Sequence, residues 1–321
     1  MKAIVQERYG SPDVLALRDV DTPAIGDDGV LIEVHAASVN ALDWHMTRGM
    51  PLVIRMMAGL RTPRDPLRGV DLGGRVVAVG KNVTRFKPGD DVFGGTDGSF
   101  AEHAATVEGR LALKPPGLTY AQAASLHVAG LTALQGLRDK AQVQPGQRVL
   151  VTGAGGGVGT FAVQIAKWLG ARVTAVTRTA SVDLVRSLGA DEVIDYSAED
   201  FTRRSERYDV IFDVSGNRSF RDCRRVMTRT GILVVVGGPA GWFAPVTRLL
   251  TAAALSPLVS QRFVPFISKN DPAGLALLAE LTAAGTITPV IDRSFALSET
   301  PDAIRYVGTG AARGKVVITV V

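Results

Sequence analysis

Short apolar runs broken by Gly, Pro and Asp fill roughly the first 120 residues: KAIVQ, GVLIEVHAA, GGRVVAVG, DDVFG and FAEHAAT. Runs of this length between turn-forming residues predict a β-rich, barrel-like domain with functional loops. Their period-2 alternation is partial, as expected of strands buried on both sides. From about Leu126 the rhythm changes. QRVLVTG reads as a buried strand, VGTFAVQIAKWLG as an amphipathic helix closed by Gly170, and ARVTAVT as a second strand. VDLVRSLGA is a further helix with Gly189 at its end, followed by the strands DEVIDY, YDVIFDVSG and GILVVVGG. Strands alternating with helices at this spacing predict a parallel, doubly wound sheet, because parallel neighbours need a crossover. The tail reads strand, helix, strand, with Ser298 just ahead of the helix and Pro301 in its first turn. Since the parallel sheet is complete without it, the tail is expected to return to the first domain. The expected class is α/β, with a β-rich barrel-like domain over 1–121, a doubly wound parallel-sheet domain over 122–267 and a C-terminal return over 268–321.

Composition narrows the class. The chain has 321 residues, and an apolar fraction of 46% supplies two cores. Its start, MKAIVQERYG, carries Lys2, Glu7 and Arg8 where a secretory signal has an apolar run, so a cytoplasmic location is expected. A single cysteine, Cys223, excludes an internal disulfide. The charge-free window Thr230 to Thr247 is interrupted by Gly231, Gly237, Gly238, Pro239, Gly241 and Pro245, which suits a strand and loop instead of a membrane span. The adjoining LLTAAALSPLVS reads as a buried, lid-like or interface helix. The net charge is +5, with arginines grouped at 203, 204 and 207 and again at 218, 221, 224 and 225. Without interleaved aromatics these predict a solvated face, not a nucleic-acid surface, and an anionic small molecule is the better partner.

The densest chemistry lies in VLVTGAGGGVGTFAVQIAKWLG. Gly153, Gly156 and Gly159 recur every third residue between a strand and a helix, the setting a dinucleotide fingerprint requires. Gly155, Gly157 and Val158 complete the loop, while Ala154 stands where a plain G-x-G-x-x-G has a glycine. Such a loop lets backbone N–H groups approach a pyrophosphate, and the helix N-terminus adds partial positive charge. An NAD site places an acidic residue at the end of the second strand; from Thr160 through Val182 there is none. Thr177, Arg178, Thr179 and Ser181 stand there instead, donors suited to a 2′-phosphate. NADPH is therefore the expected cofactor, the alternative being that Arg178 faces solvent.

The motifs VNALD, GVDLGG, FKPGDDVFG, GSFAEH, AGLTAL, GAGGGVG, LGADEVIDY, FDVSGN and ARGKVVI together resemble the medium-chain dehydrogenase/reductase superfamily, within it the zinc-free quinone oxidoreductases and enone reductases. The resemblance runs end to end. It implies a GroES-like barrel domain with an inserted nucleotide domain, and hydride transfer from a nicotinamide in the interdomain cleft. Zinc-dependent alcohol dehydrogenases of this superfamily carry a Cys near SVNALD, a His–Glu pair after the glycine of GVDLGG and a four-Cys lobe. Here those places hold Ser38 to Asn40, then Val70 and Asp71, and no Cys-rich insert. One cysteine and four scattered histidines, His35, His45, His103 and His127, do not supply a catalytic zinc set. No metal is expected.

The resemblance also suggests roles for single residues. Similar reductases place a Tyr or Lys five positions after the Asn of the first motif, which here is His45 after Asn40. The candidate catalytic pair is thus Asn40 and His45, with two alternatives left open: Asn40 capping a short helix over ALDWHMTRG, and His45 as a structural or surface histidine. Asp43 and Asp71 are expected to support the cleft as turn or cap residues. Thr132 resembles a nicotinamide-contacting threonine, or is bonded back to its own helix. Tyr196 resembles a residue beside the adenosine phosphate, or is an amphipathic strand-end Tyr. Gly237 and Gly238 follow the fifth strand, where open sheets bind ligands. Lys315 resembles a residue near the cofactor phosphates, or is a surface lysine at a strand entry. Met46, Met50, Leu52, Met56, Met57, Trp242, Phe243 and Phe263 are expected to flank the cleft, an adaptable lining for an apolar ligand. The expected activity is NADPH-dependent reduction of a small apolar electrophile, a quinone or an α,β-unsaturated carbonyl, by a homodimer. A non-catalytic NADPH-binding adaptor and, behind it, an alcohol dehydrogenase remain as alternatives.

Overall fold

A computed structural model describes residues 1–237 and 260–320. Gly238, Trp242, Phe243, the apolar stretch 249–259 and the side chain of Met57 lie outside the described residues. The chain divides into two compact units, Met1–Leu131 with Lys269–Val321, and Thr132–Ser268.

The first unit is built on β1 (Lys2–Gln6), β2 (Leu15–Asp19), β3 (Gly29–Val39), β4 (Asp71–Val79), β5 (Asp91–Gly95), β6 (His103–Val107) and β7 (Leu111–Leu113). The long strand β3 organises it. Along its first half Val30, Ile32 and Val34 are fully buried while Leu31, Glu33 and His35 alternate outward, a half-buried strand with period 2. The pairing with β4 shifts between Val34 and Ala36, a bulge that ends the alternation. Beyond it Ala36, Ala37, Ser38 and Val39 are all buried. This second half is paired on both sides, with β4 on one edge and with the tail on the other. The strand therefore delivers Ser38 and Asn40 into an interior. Helix α1 (Ala41–Arg48) follows at once, and Gly49, left-handed at φ 61°, ends it. Helices α2 (Val53–Ala58), α3 (Tyr120–Ala124) and α4 (His127–Leu134) come next in the chain.

The second unit is a six-stranded parallel sheet: β8 (Arg148–Thr152), β9 (Arg172–Thr177), β10 (Glu192–Asp195), β11 (Tyr208–Asp213), β12 (Met227–Val235) and β13 (Arg262–Pro265). The order β10-β9-β8-β11-β12-β13 reverses direction beside β8, the doubly wound arrangement whose switch point receives ligands. Helix α5 (Gly157–Trp168) makes the first crossover, with Phe161, Ala162, Val163, Ile165 and Ala166 buried. Five of these strands lie in apolar runs that sequence alone reveals. The sixth does not: β13 is four residues long and ends in Pro265. Phe263, expected to flank a substrate, lies in this strand and is a core residue, 6% exposed and edge-on to Phe220 at 5.2 Å. The reason is its register, Phe263 opposite Leu233 of β12, which turns the ring into the sheet's packed face.

The tail forms β14 (Ile291–Ala296), a helix over Thr300–Gly308 with Pro301 in its first turn, and β15 (Lys315–Thr319). Strand β15 lies parallel to β14 and antiparallel to β3, with Val316 opposite Val39. Lys315 is thereby brought beside the C-terminal end of β3, although 275 residues separate it from Asn40.

Candidate active site

In the nucleotide unit the glycine loop joins β8 to α5 with Gly156 at the helix N-cap, and Gly157, Val158 and Gly159 form the first turn. Gly159 has no substitute: a Cβ there would stand 2.1 Å from the Gly153 carbonyl oxygen, well inside contact distance. The helix N-terminus is thus pressed onto the loop, and its first-turn N–H groups are donors of the kind that can receive a pyrophosphate. The loop is braced from β11. Thr152 donates from Oγ1 to Asp213 Oδ1 at 2.6 Å, the N–H of Gly216 donates to the same oxygen at 3.1 Å, and that of Ser215 to Thr152 Oγ1 at 3.2 Å. Gly237 follows β12, and its N–H donates to the Asp213 carbonyl at 3.2 Å. Sequence reasoning did not single out Thr152 and Asp213, because their meeting depends on β8 pairing with β11.

The end of β9 tests the cofactor expectation. Ser181 is 1% exposed, and its Oγ is buried with no hydrogen-bond partner among the described residues. Ser181 and Thr177 flank Gly155 so closely that a Cβ on that glycine would lie 2.6 Å from Ser181 Cβ and 2.7 Å from Thr177 Oγ1. Arg178 precedes the turn Thr179–Ser181, and its carbonyl accepts from the Ser181 N–H at 2.9 Å. A glycine cradle, an orphaned hydroxyl and an arginine at the end of the second strand fit a phosphorylated ribose. Asp195, opposite Thr177 in β10, turns its carboxylate to Ser197. Tyr196 is 56% exposed beside it, and its N–H donates to the Thr177 carbonyl at 3.0 Å. Thr132 is bonded not to its own helix but to Ser268, Oγ1 to Oγ at 3.0 Å.

The β-rich unit holds a buried polar cluster around Asp71, the first residue of β4. Its side chain is fully buried and receives five donors. Ser38 Oγ at 2.7 Å and Asn40 Nδ2 at 2.9 Å reach Oδ2; His127 Nδ1 at 3.0 Å and the Val128 N–H at 3.2 Å reach Oδ1. The fifth is the Lys315 ammonium, 3.4 Å from Oδ2, long for a hydrogen bond but close for an ion pair. Lys315 Nζ also donates to Asn40 Oδ1 at 2.6 Å. Burial opposes the charge on Asp71, yet the Lys315 ammonium and the bonds from His127 and Asn40 outweigh it and hold the carboxyl at about 2. Asp43 shows the opposite balance. Its Oδ2 accepts from the Asn40 N–H at 2.7 Å, but burial first, and the nearby Asp71 charge, push it up to about 7.

Two sequence expectations change here. Lys315 is not a surface lysine: it is 2% exposed, and its ammonium is bonded to Asn40 and paired with Asp71 within the β-rich unit. His45 sits in the last turn of α1 with Nδ1 3.0 Å from the Met50 carbonyl. A carbonyl only accepts, so Nδ1 carries the proton and closes the turn after the helix. Burial, despite the bond to Met50, pushes the imidazole pKa down, so the neutral ring predominates and its Nε2 has no proton to give. That geometry favours the structural role left open for His45. His127, which the sequence reading named only among scattered histidines, proves central, bridging Asp71 and Asn270 Oδ1 at 3.1 Å.

Residues 26–117 match the family described as alcohol dehydrogenase GroES-like domain, and residues 188–318 the family described as zinc-binding dehydrogenase. A 2-methylene-furan-3-one reductase of Solanum lycopersicum is 35% identical, the match covering 99% of this chain and 79% of that protein. The chain belongs to the medium-chain dehydrogenase/reductase superfamily. An NADPH-dependent alkenal/one oxidoreductase of Arabidopsis thaliana is 33% identical over the same shares of the two chains. Among solved structures, the quinone oxidoreductase from Coxiella burnetii superposes with a TM-score of 0.89 at 31% identity, covering 100% of this chain and 99% of that one. Within the superfamily this chain falls in the zinc-free quinone and enone reductase group. Of the positions set against zinc ligands, Asn40 and Asp71 hold a lysine ammonium between them, and Ser38 donates to Asp71. Among the described residues no three His, Cys, Asp or Glu side chains are grouped to hold a metal ion, and no helix is long and apolar enough to cross a membrane. The arginine groups are largely paired with acids: Arg204 with Glu192 at 2.6 Å, Arg218 with Asp200 at 3.3 Å and Arg225 with Asp222 at 3.2 Å.

Proposed function

We propose that this protein is an NADPH-dependent reductase that transfers hydride to a quinone or an α,β-unsaturated carbonyl without a catalytic metal. The observation that carries the reading is the Asn40 carboxamide held between Asp71 and Lys315 in the buried cluster. When bound, NADPH supplies the hydride. The glycine loop and the N-terminus of α5 hold its pyrophosphate, while Arg178, Thr177 and Ser181 hold the 2′-phosphate. Gly237 borders the cofactor from the end of β12, and Tyr196 and Thr132 are proposed as further contacts. In the β-rich unit Asn40 donates from Nδ2 to the substrate oxygen that gains charge as hydride arrives, the contribution an oxyanion-stabilising donor makes. A quinone or enone is electrophilic enough to react with this degree of polarisation. Met46, Met50 and the 70% exposed Met56 offer an adaptable lining for small apolar acceptors. His45 is assigned to the helix end and Asn40 retained as the catalytic residue. The pairing of the arginines with acids supports a small-molecule partner over nucleic acid. The edge strand β13, with one neighbour among the described residues, supports a homodimer formed through the nucleotide unit. A cytoplasmic location completes the proposal.

The test is a screen of NADPH consumption over quinones, enals and enones, run beside NADH. Loss of the near-ultraviolet absorbance of NADPH with at least one class, and a clear preference over NADH, is expected. Tight NADPH binding with no turnover on any of them would instead identify a cofactor-binding protein without this activity.

A further inference from the structure

Lys315 lies closest to Asn40, yet nothing in the proposed reaction requires a lysine at that place. Its ammonium is buried, it joins the cluster from the last strand of the chain, and it stands 2.6 Å from Asn40 Oδ1 and 3.4 Å from Asp71 Oδ2. We propose that Lys315 is a positioning residue for the reaction, fixing which end of the Asn40 carboxamide meets the substrate and cancelling the Asp71 charge beneath it. This rests on the reductase reading and on Asn40 as its donor.

The orientation follows from the chemistry of the partners. A lysine ammonium only donates and an ionised carboxylate only accepts, so Lys315 on one end and Asp71 on the other leave the amide a single arrangement, Oδ1 to Lys315 and Nδ2 to Asp71. Asp71 uses one hydrogen of Nδ2. Among the described residues the other has only the Ser38 carbonyl at 3.5 Å, too far for a good bond, and stays available to donate. Asp71 is itself pinned through both oxygens, by Ser38 and Asn40 on Oδ2 and by His127 and the Val128 N–H on Oδ1. Without the ammonium, the amide oxygen loses its anchor. A buried carboxylate then faces the position where a substrate oxygen becomes negative, which opposes the transition state the amide is placed to favour.

The test is a double-mutant cycle with a second variant that separates packing from positioning. Lys315→Met should lower kcat by about 100-fold, the scale of loss on misplacing a reacting partner, while the NADPH Kd stays within about twofold. Asn40→Ala should lower kcat comparably, and adding Lys315→Met to it should cost little more, because the two act as one unit. Lys315→Met/Asp71→Asn removes both buried charges, so its Tm should recover towards the wild type while kcat remains low. A kcat within threefold of wild type in Lys315→Met, additive losses in the cycle, a weakened NADPH Kd, or a kcat that recovers with Tm in the charge-free variant would each overturn the inference and leave the reductase reading standing. Wild-type protein that turns over no quinone, enal or enone would overturn both.

Discussion

Asp43→Asn isolates one titration at the heart of the candidate site. Asp43 is fully buried, its Oδ2 accepts the Asn40 N–H, and its carboxyl is pushed up to about 7 from an ordinary 3.8. Burial is the main cause, the Asp71 charge adds to it, and the Asn40 N–H, Lys315 and Arg68 oppose it. The sign runs against the usual carboxylate. Between pH 4 and 7 the folded state keeps a proton that the unfolded chain has released, so raising the pH through this window destabilises the fold. At ~1.4 kcal/mol per pH unit, the gap between 3.8 and about 7 amounts to about 4 kcal/mol, all of it lost once the pH exceeds 7. An asparagine keeps an oxygen for the Asn40 N–H and cannot ionise. Urea unfolding of both proteins from pH 5 to 7.5 should therefore show the variant gaining about 2–3 kcal/mol on the wild type across that range. Other titrating groups cancel in the difference. A difference that is flat, or that falls as pH rises, would refute the burial argument for Asp43.

Arg178→Ala should weaken NADPH binding by ~10- to 100-fold and leave NADH within about twofold, by titration of cofactor fluorescence; equal losses for both would remove Arg178 from the 2′-phosphate. His45→Ala should leave kcat within about threefold and lower stability by about 1 kcal/mol through loss of the Met50 bond; a large fall in kcat with the fold intact would restore His45 as a donor.

The two units differ in how much the sequence reveals. The glycine loop is legible because its chemistry is local: Gly153, Gly156 and Gly159 follow one another every third residue from the end of β8 into the first turn of α5. The absence of an acidic residue after β9 is legible for the same reason. The Asp71 cluster is not. Asn40 and Asp71 meet because β3 pairs with β4, Lys315 arrives through β15, and His127 reaches Asp71 from α4, 56 residues along the chain. No spacing rule encodes such meetings, so only resemblance suggests a role for Lys315 and nothing in the sequence marks His127. His45 shows the converse: counting five positions from Asn40 finds the residue, but it cannot reveal that Gly49 turns the chain so that the Met50 carbonyl meets the ring. Phe263 was misread because four residues ending in proline carry too little pattern to distinguish a short strand from a loop.

The proposed reaction is hydride transfer from NADPH to an electrophilic acceptor, without a metal, in which Asn40 donates a hydrogen bond to the acceptor oxygen. Its most direct measurement uses chelator-treated protein, NADPH carrying deuterium at the transferable position and an α,β-unsaturated ketone, with the product read by mass spectrometry. One deuterium at the β-carbon of the saturated ketone, formed at the rate seen before chelation and about 100-fold more slowly by Asn40→Ala, is the predicted result. Unlabelled product, or turnover that disappears on chelation and returns with added zinc, would contradict it.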